Sequence, residues 1–275
     1  MEKRSVLANN KLTKTKYLLD HPQLKEYVPD TISESKGNLH AYLTRYRTVY
    51  VKPNNGTGGR GIIRVKIARD GAYVFQLKDK KLQFRTYDGL YKAIEPITTR
   101  KVHLIQKGIP LLKIKGRPFD IRVMVQKEET GSWIHTGTIA RIARPKLVVT
   151  NYHSGGTPIE LEKLLIHFLP PKRVKVYMKK LEALGVQIAE HMEEGYPFVT
   201  AIGVDIGLDA ALRPWIIEVN TRPDPFIFKT LKDKRVFNRI YRYIRMNRSP
   251  RPERIEHTET VAPVAVDPAE GGENA

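Results

Sequence analysis

The sequence predicts an α+β fold in which antiparallel strands alternate with helices, and three observations support this prediction. Four short segments rich in β-branched and aromatic residues follow one another with turn residues between them. They are residues 48–52, 62–68, 73–77 and 82–85. Residues 200–206 and 215–220 form two apolar strands separated by a short polar turn, the pattern of a hairpin. A stripe of apolar residues at helical spacing marks a long helix that starts at Pro170-Pro171 and stops at Gly195.

Capping residues and shorter apolar segments predict the other elements. Asn10 precedes a helix over Lys11–Asp20, and Ser35 precedes a helix over residues 36–44, because both side chains can accept a hydrogen bond from a free backbone N–H group. Further helices are predicted over residues 87–97 and 228–246. Further strands are predicted over residues 102–106, 119–127 and 133–141. The basic residues of the last helix are expected to form a solvated face.

Length and composition limit the class of protein. A chain of 275 residues with 41% hydrophobic content can bury one large core or the cores of two subdomains. It has no cysteine, so disulfides and thiolate metal sites are excluded, as is usual in a reducing compartment. The first 20 residues lack an apolar signal region, and no apolar run reaches the roughly 18 residues of a membrane span. We therefore expect a cytoplasmic protein without a membrane span.

The charge is strongly positive and unevenly distributed. The formal net charge is +19 at pH 7. Residues 250–275 carry two arginines and six acidic residues, a net charge of −4, so the rest of the chain carries +23. Such a surface attracts nucleic acids, anionic polymers, nucleotides or acidic substrates, and charge alone does not distinguish among them. No zinc-finger spacing, aromatic RNA-binding signature or helix-turn-helix is present, so no specific nucleic-acid partner is predicted.

The hairpin carries the most informative side chains. A turn at residues 209–214 places Asp205 opposite Glu218, and strand alternation places Asn220 on the same face as Glu218. Two carboxylates in these positions repel each other and lose hydration among apolar neighbours, and a cation between them reverses both effects. Asp, Glu and Asn supply the hard oxygen ligands that suit Mg²⁺, so the sequence predicts a magnesium site. The alternative is a solvent-facing hairpin with incidental acids.

A glycine-rich loop provides the second chemical signal, in Lys52-Pro-Asn-Asn-Gly56-Thr57-Gly58-Gly59-Arg60-Gly61. Glycine tolerates positive φ, so successive N–H groups of such a loop can point at one phosphate. A Walker A loop needs Lys and then Ser or Thr after its last glycine, and a dinucleotide loop needs a helix, whereas a strand follows here. The loop is therefore predicted to be a flap between two strands, with an ordinary hairpin turn as the alternative. Lys52, at the end of an apolar strand, favours phosphate binding.

Three further residues have two interpretations each. Asp120 and Arg122 lie two apart on one strand and share a face, so they are predicted either to form an ion pair with each other or to act in catalysis. His153 lies beside Asn151 and Gly155-Gly156 and can contact a substrate, although a lone histidine in a loop more often has no such role.

The order of these parts resembles the ATP-grasp superfamily, and most closely its YheC/YheD branch of spore-coat-associated proteins. The resemblance covers residues 10–245. It depends on short motifs that are specific in combination: Asn10-Lys11, Tyr27-Val-Pro29-Asp-Thr31, Val51-Lys52-Pro53, Gly56-Thr57-Gly58-Gly59-Arg60-Gly61-Ile62, Gln106-Lys107-Gly108-Ile109, Gly116-Arg-Pro-Phe-Asp120-Ile-Arg122-Val123, Val149-Thr-Asn151-Tyr-His153-Ser-Gly155-Gly156, Gly203-Val-Asp205 and Glu218-Val-Asn220-Thr-Arg-Pro223.

The resemblance implies an ATP-grasp fold, in which two α+β subdomains with antiparallel sheets clasp ATP. It implies one domain over residues 1–248, divided into a glycine-flap subdomain at about 46–110 and a metal-binding subdomain at 111–248. Residues 249–275, rich in Pro, Ala and Glu, are expected to be a disordered tail.

The resemblance also implies roles for individual residues. Lys11 and Lys52 would neutralise the α and β phosphates. The flap would cover the β and γ phosphates with Gly56, Thr57, Gly58, Gly59, Arg60 and Gly61. A hinge would bind adenine with Gln106, Lys107, Gly108 and Ile109. Mg²⁺ would be held by Asp205, Glu218 and Asn220, and the catalytic residues facing the transferred phosphoryl group would be Arg122 and Arg141.

The activity that the resemblance implies is an ATP-dependent carboxylate–amine ligase. Ligases of this superfamily phosphorylate a carboxylate and let an amine displace the phosphate, and this chemistry chiefly requires positioned cations. The sequence does not identify the carboxylate or the amine. The alternative is a non-catalytic protein whose basic surface associates with a spore layer or another anionic polymer.

Two features depart from the family pattern. Many members carry an N-terminal α/β domain that helps to bind the carboxylate substrate, whereas only about ten residues precede Lys11. Members often place an acidic residue in the hinge, where this chain has Gln106. The first departure bears on the substrate, and the second bears on the contacts with ribose or adenine.

Overall fold

The computed structural model describes residues 10–56, 58–145 and 155–248 and contains two antiparallel sheets on either side of a cleft. The first sheet has the strand order β1-β6-β2-β3-β4-β5. Its strands are β1 (Thr31–Ser33), β2 (Thr48–Pro53), β3 (Ile63–Ile67), β4 (Tyr73–Leu77), β5 (Lys80–Phe84) and β6 (His103–Lys107).

The second sheet has the strand order β10-β9-β8-β11-β12, and β7 pairs with β8. Its strands are β7 (Lys113–Ile114), β8 (Arg117–Lys127), β9 (Trp133–Ile142), β10 (Thr157–Ile159), β11 (Ala201–Leu208) and β12 (Pro214–Asn220). Both sheets pair only antiparallel strands within the described ranges, as the short turns in the sequence predicted.

Helices cover the two sheets. They are α1 (Lys11–Asp20), α2 (Lys36–Tyr46), α3 (Tyr87–Thr98), α4 (Leu161–Leu165), α5 (Pro171–Gly195) and α6 (Lys234–Met246). The predicted caps are confirmed, because Asn10 accepts a hydrogen bond from the Thr13 N–H group at 2.9 Å and Ser35 accepts one from the Asn38 N–H group at 3.2 Å. No helix in the described part of the chain is both long and apolar enough to cross a bilayer.

The first sheet, α2 and α3 form one lobe with its own core, which we call the first lobe. Leu39, Leu43, Leu90 and Ile94 of the helices pack there against the apolar face of the strands. Burial of these side chains stabilises the lobe by about 1.5–3 kcal/mol for each residue. Since α2 contributes to this core, the first lobe also includes residues that precede position 46.

The second sheet forms the second lobe with α1, α4, α5 and α6, and it is covered on both faces. Alternation along β8 directs Val123 and Val125 into the core with α5, and it directs Met124 into a smaller core with Ile240 of α6. The basic residues of α6 are exposed, as the sequence predicted. They are Lys234, Arg235, Arg239, Arg242 and Arg245.

The predicted helix over residues 228–246 is wrong in its first part. Phe226–Thr230 forms a 3-10 helix, Leu231 is extended, and α6 begins only at Lys234. The reason is a cap that the apolar pattern conceals, because the Asp233 side chain accepts a hydrogen bond from the Arg235 N–H group at 3.0 Å. The predicted tail at 249–275 lies outside the described residues.

Candidate functional site

A cleft of about 730 Å³ lies between the two lobes. Strands β2 and β6 of the first lobe contribute Lys52 and Gln106, and strands of the second lobe contribute a cluster of charged side chains. That cluster consists of Asp120, Arg141, Asp205 and Glu218. The structure thus brings together residues that are far apart in the sequence and that the sequence had singled out.

Lys52 is held in the wall of the cleft by Gln106. The Lys52 ammonium donates to Gln106 Oε1 at 2.5 Å, and Gln106 Nε2 donates to Thr31 Oγ1 at 3.3 Å. Burial lowers the pKa of Lys52 to about 8, while Glu218 raises it in part and Lys11 lowers it further. An ammonium group with so little hydration gains strongly from an anion placed in the cleft.

The glycine loop joins two antiparallel strands, β2 and β3, which confirms the predicted flap topology. Gly58, Gly59 and Gly61 have φ values of 70°, 72° and 74°, in the left-handed region that side chains disfavour. Arg60 is exposed, and Gly59 lines the cleft. Thr57 lies outside the described residues.

Helix α1 is attached to the flap at its N-terminus. The Lys11 N–H group donates to the Asn54 carbonyl at 3.2 Å, and the Leu12 N–H group donates to Asn54 Oδ1 at 2.9 Å. The Lys11 ammonium then donates both to the Gly56 carbonyl and to Glu218 Oε1. Lys11 therefore connects α1, the flap and the acidic strand at one point.

The segment predicted as a hinge crosses from the first lobe to the second. The Gly108 N–H group donates to the Thr48 carbonyl at 2.9 Å, and a Cβ atom at position 108 would lie 2.8 Å from that carbonyl oxygen. Only glycine allows this close approach. Lys107 and Ile109 line the cleft, as do the apolar side chains Leu111 and Ile217.

The hairpin pairs the two acids as the sequence predicted. Asp205 lies opposite Glu218, and Gly203 lies opposite Asn220. The amide group of Asn220 contacts Glu218 Oε1 at 3.1 Å and Arg122 Nη2 at 3.3 Å in its best-satisfied orientation. Asp205, Glu218 and Asn220 therefore converge on the cleft side of the second sheet.

Arginine and lysine side chains neutralise the charges of the two acids. The sequence had predicted that a metal ion alone would do so. Asp205 accepts from Arg122 Nε at 2.5 Å and lies 2.9 Å from Arg141 Nη2. Burial opposes ionisation of Asp205, but the two guanidinium groups outweigh it and lower the pKa to about 2. Glu218 pairs with Lys11 at 2.9 Å. The interpretation that the acids repel each other without a bound cation is therefore wrong.

Asp120 and Arg122 do not pair with each other, so the predicted ion pair between them is also wrong. Asp120 Oδ1 accepts from Arg141 Nε at 2.8 Å, and Asp120 Oδ2 accepts from Arg141 Nη2 at 2.5 Å. The register of the sheet explains the exchange of partners, because Asp120 lies opposite Arg141 and Arg122 lies opposite Asp205. Burial disfavours the Arg141 charge, but Asp120 and Asp205 outweigh it and raise the pKa of Arg141.

Lys14 belongs to the site and was missed in the sequence. Its ammonium donates to the Val219 carbonyl at 2.6 Å, and burial lowers its pKa to about 8. Lys14 lies three residues after Lys11 on α1, so both side chains are on one face of the helix. That spacing was a signal that could have identified it. The predicted His153 and Asn151 lie outside the described residues.

Comparisons with known proteins identify the family of the chain. A family model described as YheC/D like ATP-grasp matches residues 5–246. The endospore coat-associated protein YheD of Bacillus subtilis (strain 168) is 32% identical over 192 residues, which are 66% of this chain and 41% of YheD. The endospore coat-associated protein YheC of the same strain is 24% identical over 209 residues, 75% of this chain and 57% of YheC. The chain thus spans about half the length of these relatives.

One solved structure covers a large part of the chain. It is N5-carboxyaminoimidazole synthetase from Staphylococcus aureus complexed with ADP. The alignment covers 79% of this chain and 46% of the synthetase, with 16% sequence identity and a TM-score of 0.49.

Proposed function

Because the chain belongs to the YheC/D like ATP-grasp family, we propose that its cleft binds ATP and that the protein is an ATP-dependent carboxylate–amine ligase. The observation that supports this most strongly is the mixed lining of the cleft. It combines the apolar side chains Ile109, Leu111 and Ile217 with the cations Lys52, Lys107 and Arg141. A nucleotide likewise combines an apolar base with a polyanion.

Each part of the nucleotide has a place in this proposal. Adenine lies against the hinge, Gln106 to Ile109, where Ile109 supplies apolar surface. The α and β phosphates lie between Lys52, whose ammonium donates to the neutral Gln106, and Lys11, whose ammonium pairs with Glu218. The flap glycines then cover the β and γ phosphates with their N–H groups.

The donor set beside the phosphates fits Mg²⁺. Glu218, Asp205 and Asn220 offer two carboxylates and an amide oxygen. The fit is closest at Glu218, since both oxygens of Asp205 accept from Arg122 and the Asn220 oxygen, in its best-satisfied orientation, accepts from Arg122 as well. When bound, Mg²⁺ would neutralise charge on the β and γ phosphates.

The proposed reaction has two steps. A substrate carboxylate oxygen attacks the γ phosphorus of ATP, and the bond from that phosphorus to the bridging oxygen breaks and releases ADP. The amine then attacks the acyl carbon, the bond from that carbon to the phosphate oxygen breaks, and inorganic phosphate leaves as the nitrogen loses a proton to solvent. Arg122 and Arg141 orient the γ phosphate, and no protein nucleophile is required.

A second candidate function is non-catalytic association with an anionic polymer of a spore layer. The net charge of +19 favours it. The names of the two curated relatives, endospore coat-associated proteins, favour it as well. Both candidates are compatible with ATP binding, and they differ in whether ADP is formed.

A trapping experiment tests the proposed activity. Purified protein is incubated with Mg-ATP, a panel of carboxylates and hydroxylamine, which converts an acyl-phosphate into a coloured iron-binding hydroxamate. We expect ADP and hydroxamate to form together and to be absent with Lys52→Ala. ADP without hydroxamate contradicts the acyl-phosphate. If the protein binds nucleotide but forms no ADP with any carboxylate, the second candidate is supported. If it does not bind ATP at millimolar concentration, the proposed ligase is contradicted.

A further inference from the structure

A second cavity, with about 950 Å³ of open space, lies beside the nucleotide cleft. Tyr50 lines both cavities, so they meet at this side chain. The second cavity is lined by residues of both lobes, and we call it the basic groove. Its cations are Arg64, Lys81, Lys113, Arg117 and Arg144.

The floor of the groove is a row of side chains that crosses the first sheet. Gln106 lies opposite Tyr50, Tyr50 lies opposite Arg64, and the row continues through Gln76 to Lys81 on β5. Directly opposed residues of antiparallel strands share a face of the sheet. The row therefore leads without interruption from the wall of the nucleotide cleft, at Gln106, to the exposed edge of the first lobe.

The opposite wall comes from the second lobe. Arg117 is oriented by neutral groups, since its Nε donates to the Ala143 carbonyl at 2.6 Å and its Nη2 donates to Thr157 Oγ1 at 3.4 Å. Lys113 and Arg144 are exposed on either side of it. Neutral acceptors thus fix the guanidinium of Arg117 in position, and its positive charge is not neutralised by a carboxylate of the described residues.

The charges of the groove are not balanced. Asp79 is its one acidic residue among the described side chains, against five cations. Within the described ranges, none of the five cations forms an ion pair with a carboxylate. Cations gathered in a groove with low-dielectric walls repel one another and attract a polyanion.

We propose that the basic groove binds the acceptor as an acidic peptide-like chain, with several carboxylates along its length. This inference builds on the proposed ligase activity, which requires a carboxylate beside Arg141. The groove meets the nucleotide cleft, which Arg141 lines, at Tyr50, so one carboxylate of the chain reaches the cleft while the others lie against Arg64, Lys81 and Arg117. A carboxylate polymer is favoured over a phosphate polymer because only the former supplies the group to be activated.

Binding of a labelled peptide of about ten glutamates tests this inference directly. The groove variant is Lys81→Gln/Lys113→Gln/Arg144→Gln, in which all three side chains are exposed in the native protein, so the fold is retained. The control variant, Lys172→Gln/Lys175→Gln/Lys179→Gln, removes the same charge from exposed positions of α5. Fluorescence anisotropy gives the affinity for the peptide, and calorimetry gives the affinity for Mg-ATP.

We expect the groove variant to bind the glutamate peptide about tenfold more weakly or worse, and the control variant to bind it within about twofold of the native protein. Both variants keep the native affinity for Mg-ATP. If the peptide also supports ADP release, its KM rises in the groove variant while kcat is unchanged, because the lost contacts are remote from the phosphates.

Three outcomes overturn the inference. The peptide fails to bind, or the two variants lose affinity equally, or a polyphosphate or oligonucleotide binds the groove and the glutamate peptide does not displace it. If Mg-ATP still binds in these cases, the proposed nucleotide site is not contradicted. If the native protein does not bind Mg-ATP, the proposed function itself is contradicted.

Discussion

Lys11 forms an ion pair with Glu218 at 2.9 Å across 207 positions of sequence, and the same ammonium donates to the carbonyl of Gly56. The contact joins the first helix, the glycine flap and the last strand of the second sheet. It also means that the acid proposed for Mg²⁺ and the lysine proposed for phosphate already lie in contact. An incoming phosphate would therefore compete with Glu218 for Lys11, while Mg²⁺ would compete with Lys11 for Glu218.

Substitution of Lys11 tests this relationship. We expect Lys11→Ala to lower the free energy of unfolding by only about 1 kcal/mol, because both partners retain some contact with water. Nucleotide affinity should fall by roughly 10- to 100-fold, since a charge-assisted hydrogen bond to phosphate contributes about 1.5–3 kcal/mol. Urea unfolding and calorimetry measure the two effects. Lys16→Ala, an exposed lysine of the same helix, is the control and should change neither quantity.

Glu218→Gln separates a metal ligand from a structural acid. The glutamine can still accept a hydrogen bond from Lys11, so in EDTA we expect the melting temperature to stay close to that of the native protein. Magnesium-dependent nucleotide affinity should be largely lost, because a neutral amide is a weaker ligand for Mg²⁺. Melting curves in EDTA, in magnesium and in Mg-ATP make the comparison. A variant that is less stable in EDTA yet responds fully to Mg-ATP would refute the metal assignment.

The sequence predicts the partner of Asp205 correctly, but not the path of the hairpin that leads to it. Next to the turn the strands pair one residue out of the predicted register, with Ile206 opposite Ile216, and an irregularity between Asp205 and Ile206 then brings Asp205 opposite Glu218. The pairing of Asp120 with Arg141 depends instead on the register between β8 and β9. The prediction considered one strand alone and paired Asp120 with Arg122 of that strand, so it missed the partner directly opposite on the neighbouring strand.

Contacts between the two lobes are harder to predict from the sequence than contacts within one sheet. The basic groove combines Arg64 of the first lobe with Arg117 of the second, and no pattern of periodicity relates two separate cores. Lys14 could have been identified from its spacing to Lys11, but its burial depends on the packing of α1 against the second sheet. Local patterns thus predict elements and hairpins, while the cleft arises from the assembly of the lobes.

Mg-ATP should stabilise the fold, because Lys52, the flap and the hairpin form a single site only in the native protein. At a hundredfold excess of nucleotide over its Kd, linkage contributes about 2.7 kcal/mol. For a domain of this size that corresponds to a rise of roughly 5–10 °C in melting temperature. Differential scanning fluorimetry checks the shift, with Lys52→Ala as the variant that should lose most of it. No shift at millimolar Mg-ATP would contradict nucleotide binding.

Asp120→Asn tests whether the ion-pair cluster is structural. Both Asp120 and Arg141 are buried, so removal of one charge leaves the other poorly compensated, although Asp205 still lies 2.9 Å from Arg141. We expect a loss of about 3 kcal/mol in the free energy of unfolding. Asp88→Asn provides the contrast, because Asp88 pairs with Lys36 at an exposed position, and its substitution should leave the free energy of unfolding nearly unchanged. Equal losses in the two variants would contradict the buried network.

The two buried lysines predict opposite effects of pH on folding and on nucleotide binding. Burial lowers the pKa values of Lys14 and Lys52 from 10.5 to about 8. Between pH 8 and 10.5 the unfolded chain therefore holds more protons than the folded chain, so these groups make the protein without nucleotide more stable as pH rises through that window.

Nucleotide affinity should change in the other direction, because a deprotonated lysine offers no charge to a phosphate. From pH 8 to pH 9 we expect affinity to fall by roughly fivefold for each lysine that must be protonated, with proton uptake on binding. Calorimetry in buffers of different ionisation enthalpy counts those protons. Lys52→Met should remove part of the uptake, whereas Lys172→Met, at an exposed position of α5, should not. Equal affinity at pH 7 and pH 9 would show that neither lysine contacts the phosphates in its charged form.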